Sequence, residues 1–155
     1  MTKSLKIVFL FISISFALFS FKERNNQFRS RINLSGEWQF SLDPENIGMQ
    51  QNWFSKSLDD VIQLPGTTDS NKKGTKNTVV SIYHLNRLFS YEGPAWYKKK
   101  IMIPENWKGK HIELKMERTK SSKVWIDGNF VGGSILLQSP QKYSLEQYCD
   151  HIRIT

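Results

Sequence analysis

Cysteine is the scarcest residue of consequence in this chain. Cys149 stands alone, which excludes an internal disulfide and leaves stability to packing; the thiol itself reads as buried or idle. Histidine is nearly as rare. His84, His111 and His151 lie far apart in sequence, so ligands at metal-binding spacing are missing and neither a metal nor a cofactor is expected. Two further absences concern nucleophiles and phosphates: there is no G-x-S-x-G elbow and no glycine-rich loop opening a helix. Gly132-Gly133-Ser134 follows a strand pattern and is expected to mark a turn. Length is lacking too, because 155 residues fall short of the roughly 200 that a (β/α)8 barrel requires. Internal repeats, heptads and low-complexity segments are absent.

What is present is a basic, aromatic-rich chain. Lys and Arg number 22 against 14 Asp and Glu, a net charge of +8 with the histidines neutral. Such a surplus raises the question of nucleic acid, but Lys72-Lys73, Lys98-Lys99-Lys100, Lys108 and Lys110 are scattered and no recognition motif surrounds them, so a solvated surface is expected and nucleic acid is not. Apolar residues at 39% and aromatics at 13% indicate a folded core.

The one long apolar run is N-terminal. Lys3 and Lys6 precede Ile7 to Phe21, and Lys22, Glu23 and Arg24 follow, the layout of a secretory signal peptide. The run is shorter than the roughly 20 residues of a spanning helix. Ala17 and Ser20 do not form an A-x-A cleavage site, so a retained anchor is the alternative, with membrane contact through this segment only. The expected division is 1–21 signal peptide or anchor, 22–33 linker, and 34–155 folded domain in an exported protein, periplasmic or secreted. Removing 1–21 leaves 20 basic and 14 acidic residues, a net +6.

Beyond Asn33 the pattern is strand-like. Glu37 to Leu42 alternates and stops at Asp43-Pro44. Ile112, Leu114 and Met116 alternate with Glu113, Lys115 and Glu117, a half-buried strand. Asp127-Gly128 between Lys123–Ile126 and Phe130-Val131 predicts a tight hairpin. Tyr97–Ile103 predicts another strand, ended by Pro104; 45–58 predicts a helical turn or loop and 70–80 a polar loop. Many short strands between turn signals predict an antiparallel β-sandwich.

The carboxylates offer no acid/base pair. Glu113 and Glu117 share a polar strand face, as solvated charges do, and Glu92 sits in a turn. Of the five tryptophans, Trp38, Trp96 and Trp125 fall at strand positions and are expected to fill the core. Trp53 and Trp107 fall near loops and are freer to be exposed.

These residues, in order, resemble a known family. Leu34-Ser35-Gly36-Glu37-Trp38-Gln39-Phe40, Leu64-Pro65-Gly66-Thr67-Thr68-Asp69, Tyr91-Glu92-Gly93-Pro94-Ala95-Trp96-Tyr97, Ile103-Pro104 with Trp107-Lys108-Gly109-Lys110, Glu117-Arg118 and Val124-Trp125-Ile126-Asp127-Gly128 with Val131-Gly132 are similar to the N-terminal sugar-binding domain of glycoside hydrolase family 2. The resemblance implies an all-β, galactose-binding-domain-like jelly roll. It implies no catalytic residue here, since the family's acid and nucleophile belong to a separate barrel.

It further implies an oligosaccharide or β-glycoside ligand and the remaining hydrolase domains as partner. A split β-glycosidase and a free lectin-like module are the alternative readings. Binding segments implied by the resemblance carry Thr67, Thr68, Asp69, Tyr91 and Glu92, with Trp107 as an exposed ring. Two departures stand out: Thr119-Lys120 and Gln141 occupy places where the pattern has Pro-His pairs, the second after Pro140. His151–Thr155 resembles the start of a strand that the family continues, so the last strands are expected to be missing and the domain alone to be marginal.

Overall fold

A computed structural model describes residues 29–79, 82–83 and 86–148. The N-terminal apolar run, Cys149 and His151–Thr155 lie outside the described residues. The chain divides between Asn33 and Leu34, and the elements below belong to the second unit. Among the described residues there are nine strands: β1 Gly36–Leu42, β2 Asp60–Leu64, β3 Thr75–Lys76, β4 Phe89–Ser90, β5 Ala95–Lys98, β6 Glu113–Met116, β7 Ser122–Ile126, β8 Asn129–Ser134 and β9 Gln141–Ser144. Three 3-10 turns, Trp53–Ser55, Glu105–Trp107 and Glu146–Tyr148, complete the list, and the described residues contain no α-helix.

Every pairing is antiparallel: β2-β1-β5 form one sheet, and β3-β4, β6-β9 and β7-β8 form pairs. The alternation of β1 sets the first sheet. Phe40 is fully buried and Ile62 almost so, and Trp38 lies opposite Ile62 in register. Tyr97 lies opposite Phe40, ring edge to ring face at 5.1 Å. Such cross-strand apolar pairs are the stabilising unit of a sheet, each worth about 0.2–1 kcal/mol over alanine. A second core gathers Ile112, Tyr143 and Leu145, with Leu114, Met116, Val124, Ile126, Val131 and Trp107 packed on it. Its source is the alternation read from the sequence: Leu114 and Met116 are half-buried while Glu113 and Lys115 are exposed.

The hairpin forms at the expected place. Asp127 and Gly128 take φ of +48° and +82°, the two positive angles of a two-residue turn whose twist matches the strands. The strand expected over Tyr97–Ile103 is corrected to Ala95–Lys98. Its register with β1 stops at Gln39 and Lys98. Beyond that point the Lys99 side chain takes the carbonyls of Ser35 at 3.0 Å and Glu37 at 3.1 Å, and its ammonium lies 5.7 Å from the Trp38 ring centre. The loop expected over 70–80 contains the short strand β3.

Candidate functional site

Several of the sequence-predicted residues make bonds that hold the fold. Thr67 and Ser70 exchange hydrogen bonds: Thr67 N–H donates to Ser70 Oγ at 2.9 Å and Ser70 N–H to Thr67 Oγ1 at 3.0 Å. The Thr68 carbonyl accepts from Lys73 N–H at 2.8 Å. Asn71 fastens this turn to β2, its amide donating to the Gln63 carbonyl while its oxygen accepts from Gln63 N–H at 2.9 Å. The Asp69 carboxylate accepts from Phe89 N–H at 2.8 Å, so it joins the turn to β4. The Tyr91 hydroxyl donates to the Pro94 carbonyl at 2.6 Å and accepts from Asp43 N–H at 3.1 Å. Burial raises its pKa above the ordinary phenol value. Glu92 is exposed. Trp107 is half-buried and packed on the second core. The structure therefore does not bring these six residues into one pocket. An open depression of about 370 Å³ between β8 and β9, lined by Val131, Lys142, Tyr143, Ser144, Glu146 and Gln147, contains none of them.

A different assembly does come together. Trp53 and Trp96 have ring centres 6.3 Å apart, Trp96 and Trp125 5.2 Å, and Trp125 and Phe130 5.4 Å. Phe54 stacks on Trp125 at 5.6 Å with planes only 5° apart. These five rings form a ladder joining the Trp53–Ser55 turn, β5 and the β7-β8 hairpin. All three tryptophans are half-buried, as is Trp38, against the expectation that Trp38, Trp96 and Trp125 fill the core and that Trp53 is freer to be exposed. The reason is the face of β5 that Trp96 occupies. It is one residue from Tyr97, which shares the Phe40 side, so strand alternation turns it to the opposite side. At the outer end Phe130 remains 55% exposed, with Met49 exposed on the segment before Trp53.

Asp43 anchors the ladder and was legible in the sequence only as a turn opener. It is 1% exposed. Its carboxylate accepts from Ile47 N–H at 2.8 Å, Gly48 N–H at 2.9 Å and Trp96 Nε1–H at 3.0 Å. Burial alone would raise its pKa, but the bonds from Trp96, Gly48, Ile47 and Asn46 outweigh it and hold the carboxyl below the usual range; a carboxylate accepting several N–H bonds behaves this way. Gly48 is dictated by the same contact, since a Cβ there would come within 2.2 Å of Trp96 Nε1 and 2.7 Å of Asp43 Oδ2.

Two lysines flank the rings. Lys98 is two residues from Trp96 on β5, hence on the same face, and its ammonium donates to the Lys56 carbonyl at 2.5 Å. Burial and the neighbouring Lys100 lower its pKa. Lys123, two residues before Trp125 on β7, reaches the Met49 Sδ at 3.4 Å.

The two departures from the family pattern meet in space. Gln141 is fully buried, and its amide donates to the carbonyls of Thr119, Lys120 and Leu136 at 3.2, 3.1 and 3.0 Å. Ser122 donates to its oxygen. One side chain thus ties the β6-β7 and β8-β9 connections together. Among the described residues no group of three His, Cys, Asp or Glu side chains is placed to hold a metal ion.

The fold and this ladder define the class: an all-β chain of antiparallel sheets with a half-open aromatic seam. The particular family follows from comparison. The chain belongs to the glycosyl hydrolases family 2, sugar binding domain, whose family profile matches residues 31–152, and the fold of that domain is a jelly-roll sandwich. A β-glucuronidase of Paenibacillus borealis is 28% identical over 96 residues, 61% of this chain and 15% of its own. A β-galactosidase of Thermoanaerobacter pseudethanolicus is 29% identical over 79 residues, 45% of this chain and 11% of its own. The crystal structure of Ruminococcus gnavus β-glucuronidase superposes with a TM-score of 0.59 at 21% identity, covering 74% of this chain and 18% of that one. This chain therefore spans less than a fifth of the proteins it matches.

Proposed function

We propose that this chain is the sugar-binding accessory module of an exported family 2 β-glycosidase, and that it holds an oligosaccharide or β-glycoside on the aromatic ladder without hydrolysing it. The observation that carries this reading is the half-open ring series Trp53, Trp96, Trp125 and Phe130. Aromatic faces offer flat apolar area at little entropic cost, and ligand sites are built largely from such surfaces with a few polar groups around them. The polar alternatives, Asp69 and Tyr91, already bond the backbone.

The relatives are a β-glucuronidase and a β-galactosidase, and in this reading catalysis belongs to domains of the hydrolase other than this one. Export is supported by Lys3, Lys6 and the apolar run Ile7–Phe21. The test is an assay of the purified chain against chromogenic β-glucuronide and β-galactoside, run beside tryptophan-fluorescence titration with oligosaccharides. Fluorescence change without product release is expected. Turnover by the chain alone contradicts the accessory role, and an unchanged spectrum with every sugar contradicts the binding role.

A further inference from the structure

We infer that the outer edge of β2 is a strand-addition surface for a second copy of this chain, and that the Thr67–Lys73 turn holds it shut. The inference is independent of the sugar-binding reading. Among the described residues β2 is the last strand of its sheet, with β1 on its other side. In an antiparallel ladder alternate residues point their backbone groups outward, and on β2 these are Val61 and Gln63, both exposed. An unpaired row of this kind recruits further strands.

Here side chains occupy the row. The Asn71 amide exchanges two bonds with Gln63, accepting from its N–H at 2.9 Å and donating to its carbonyl at 3.1 Å. A residue of an added antiparallel strand makes the same exchange. The amide also donates to the Thr67 carbonyl at 2.9 Å, which holds it in the turn. Val61 N–H donates to Asp60 Oδ1 at 2.7 Å, and the Lys73 ammonium binds that same oxygen at 2.5 Å. Gly66 belongs to the closure, since a Cβ there would lie 2.6 Å from the Gln63 carbonyl oxygen and 2.8 Å from Asn71 Nδ2. Because Val61 and Gln63 are exposed, water can satisfy their backbone groups. What the turn adds is occupation of the place a strand would take.

The occupant follows from the symmetry of the edge. Two β2 strands related by a two-fold axis at Ile62 set Val61 of each opposite Gln63 of the other, so the outward groups of these residues pair reciprocally. The Val61 side chain, 46% exposed, adds an apolar contact on the open face of that pair.

The experiment is sedimentation velocity of the full chain over a range of concentrations, with amide hydrogen exchange read at Val61 and Gln63. Wild type is run beside Asn71→Ala with Asp60→Ala. The double variant should self-associate about tenfold more strongly, its two amides exchanging fast when dilute and slowly when concentrated. In wild type their exchange should not depend on concentration. Adding Val61→Lys and Gln63→Lys, which sets like charges opposite each other across the pair, should return the variant to wild-type behaviour. Asn71→Asp keeps the bond from Gln63 N–H and loses those to both carbonyls. It should show a smaller rise in the same direction, and it decides the matter if circular dichroism shows the double variant unfolded. Opened variants as monomeric as wild type overturn the inference and leave the turn a local clamp. Association that survives the two lysines, or that leaves the Val61 and Gln63 amides unprotected, overturns it by placing the contact elsewhere.

Discussion

The Thr67–Lys73 turn and the Trp53–Phe130 ladder make opposite uses of their side chains. In the turn, hydroxyl, amide and carboxylate groups close on backbone partners: Ser70 on Thr67, Asn71 on Gln63, Asp69 on Phe89. In the ladder, rings meet rings and leave an outer face uncovered, with Phe130 55% exposed. Polar groups of this turn thus satisfy the loop's own backbone, whereas aromatic residues expected in the core stay half-buried. Asp43 links the two modes, since its N–H meets the Tyr91 hydroxyl and its carboxylate holds the Trp96 indole.

The contrast can be broken most forcefully at Trp125. It touches Phe54, Trp96 and Phe130, so Trp125→Ala should cost about 3 kcal/mol in urea unfolding, the low end for a core aromatic because the ring is half-buried, and also abolish glycan binding. Gly48→Ala comes next. The added methyl forces the Trp96 indole away from Asp43, and overpacking of this kind costs about 1–3 kcal/mol; the Trp96 indole N–H resonance should move with it.

A third test uses acid. Because the folded-state pKa of Asp43 is depressed, its contribution is intact above the ordinary carboxylate pKa of about 4 and is lost as pH falls from there through the lower folded value. Asp60, lowered chiefly by the hydrogen bond from Lys73, acts in the same sense. Urea midpoints should therefore fall below about pH 4, and Asp43→Asn should flatten that dependence while lowering stability at neutral pH.

The smallest effects belong to the polar turn. Asp69→Ala should cost about 1 kcal/mol, the worth of its bond to Phe89 N–H, and leave glycan affinity unchanged. Glu92→Gln, at an exposed position, should fall within about 0.5 kcal/mol of wild type. A loss of affinity in either variant would shift the binding surface from the ladder to the turn.

Much of the fold was legible because period-two alternation and turn chemistry act locally. Asp127-Gly128 demanded a hairpin, and Ile112, Leu114 and Met116 marked one face of β6. The end of β5 was not legible, because it depends on Lys99 reaching Ser35 and Glu37 across the sheet. Phe54, Phe130 and Asp43 escaped notice as site residues for a similar reason. Their spacing in sequence carries no period, and only the folding of the hairpin toward the Trp53 turn brings them together. The meeting of Gln141 with Thr119 and Lys120 is likewise a long-range fact.

The most direct measurement is the set of five indole N–H resonances followed by NMR while an oligosaccharide that changes the tryptophan fluorescence is added. Trp53, Trp96 and Trp125 should shift in a saturable way, while Trp38, bonded to Leu34 O at 2.8 Å, and Trp107, packed on the second core, stay in place. Stationary ladder indoles together with shifted amides at Thr67–Asn71 would contradict the assignment of the ladder as the binding surface.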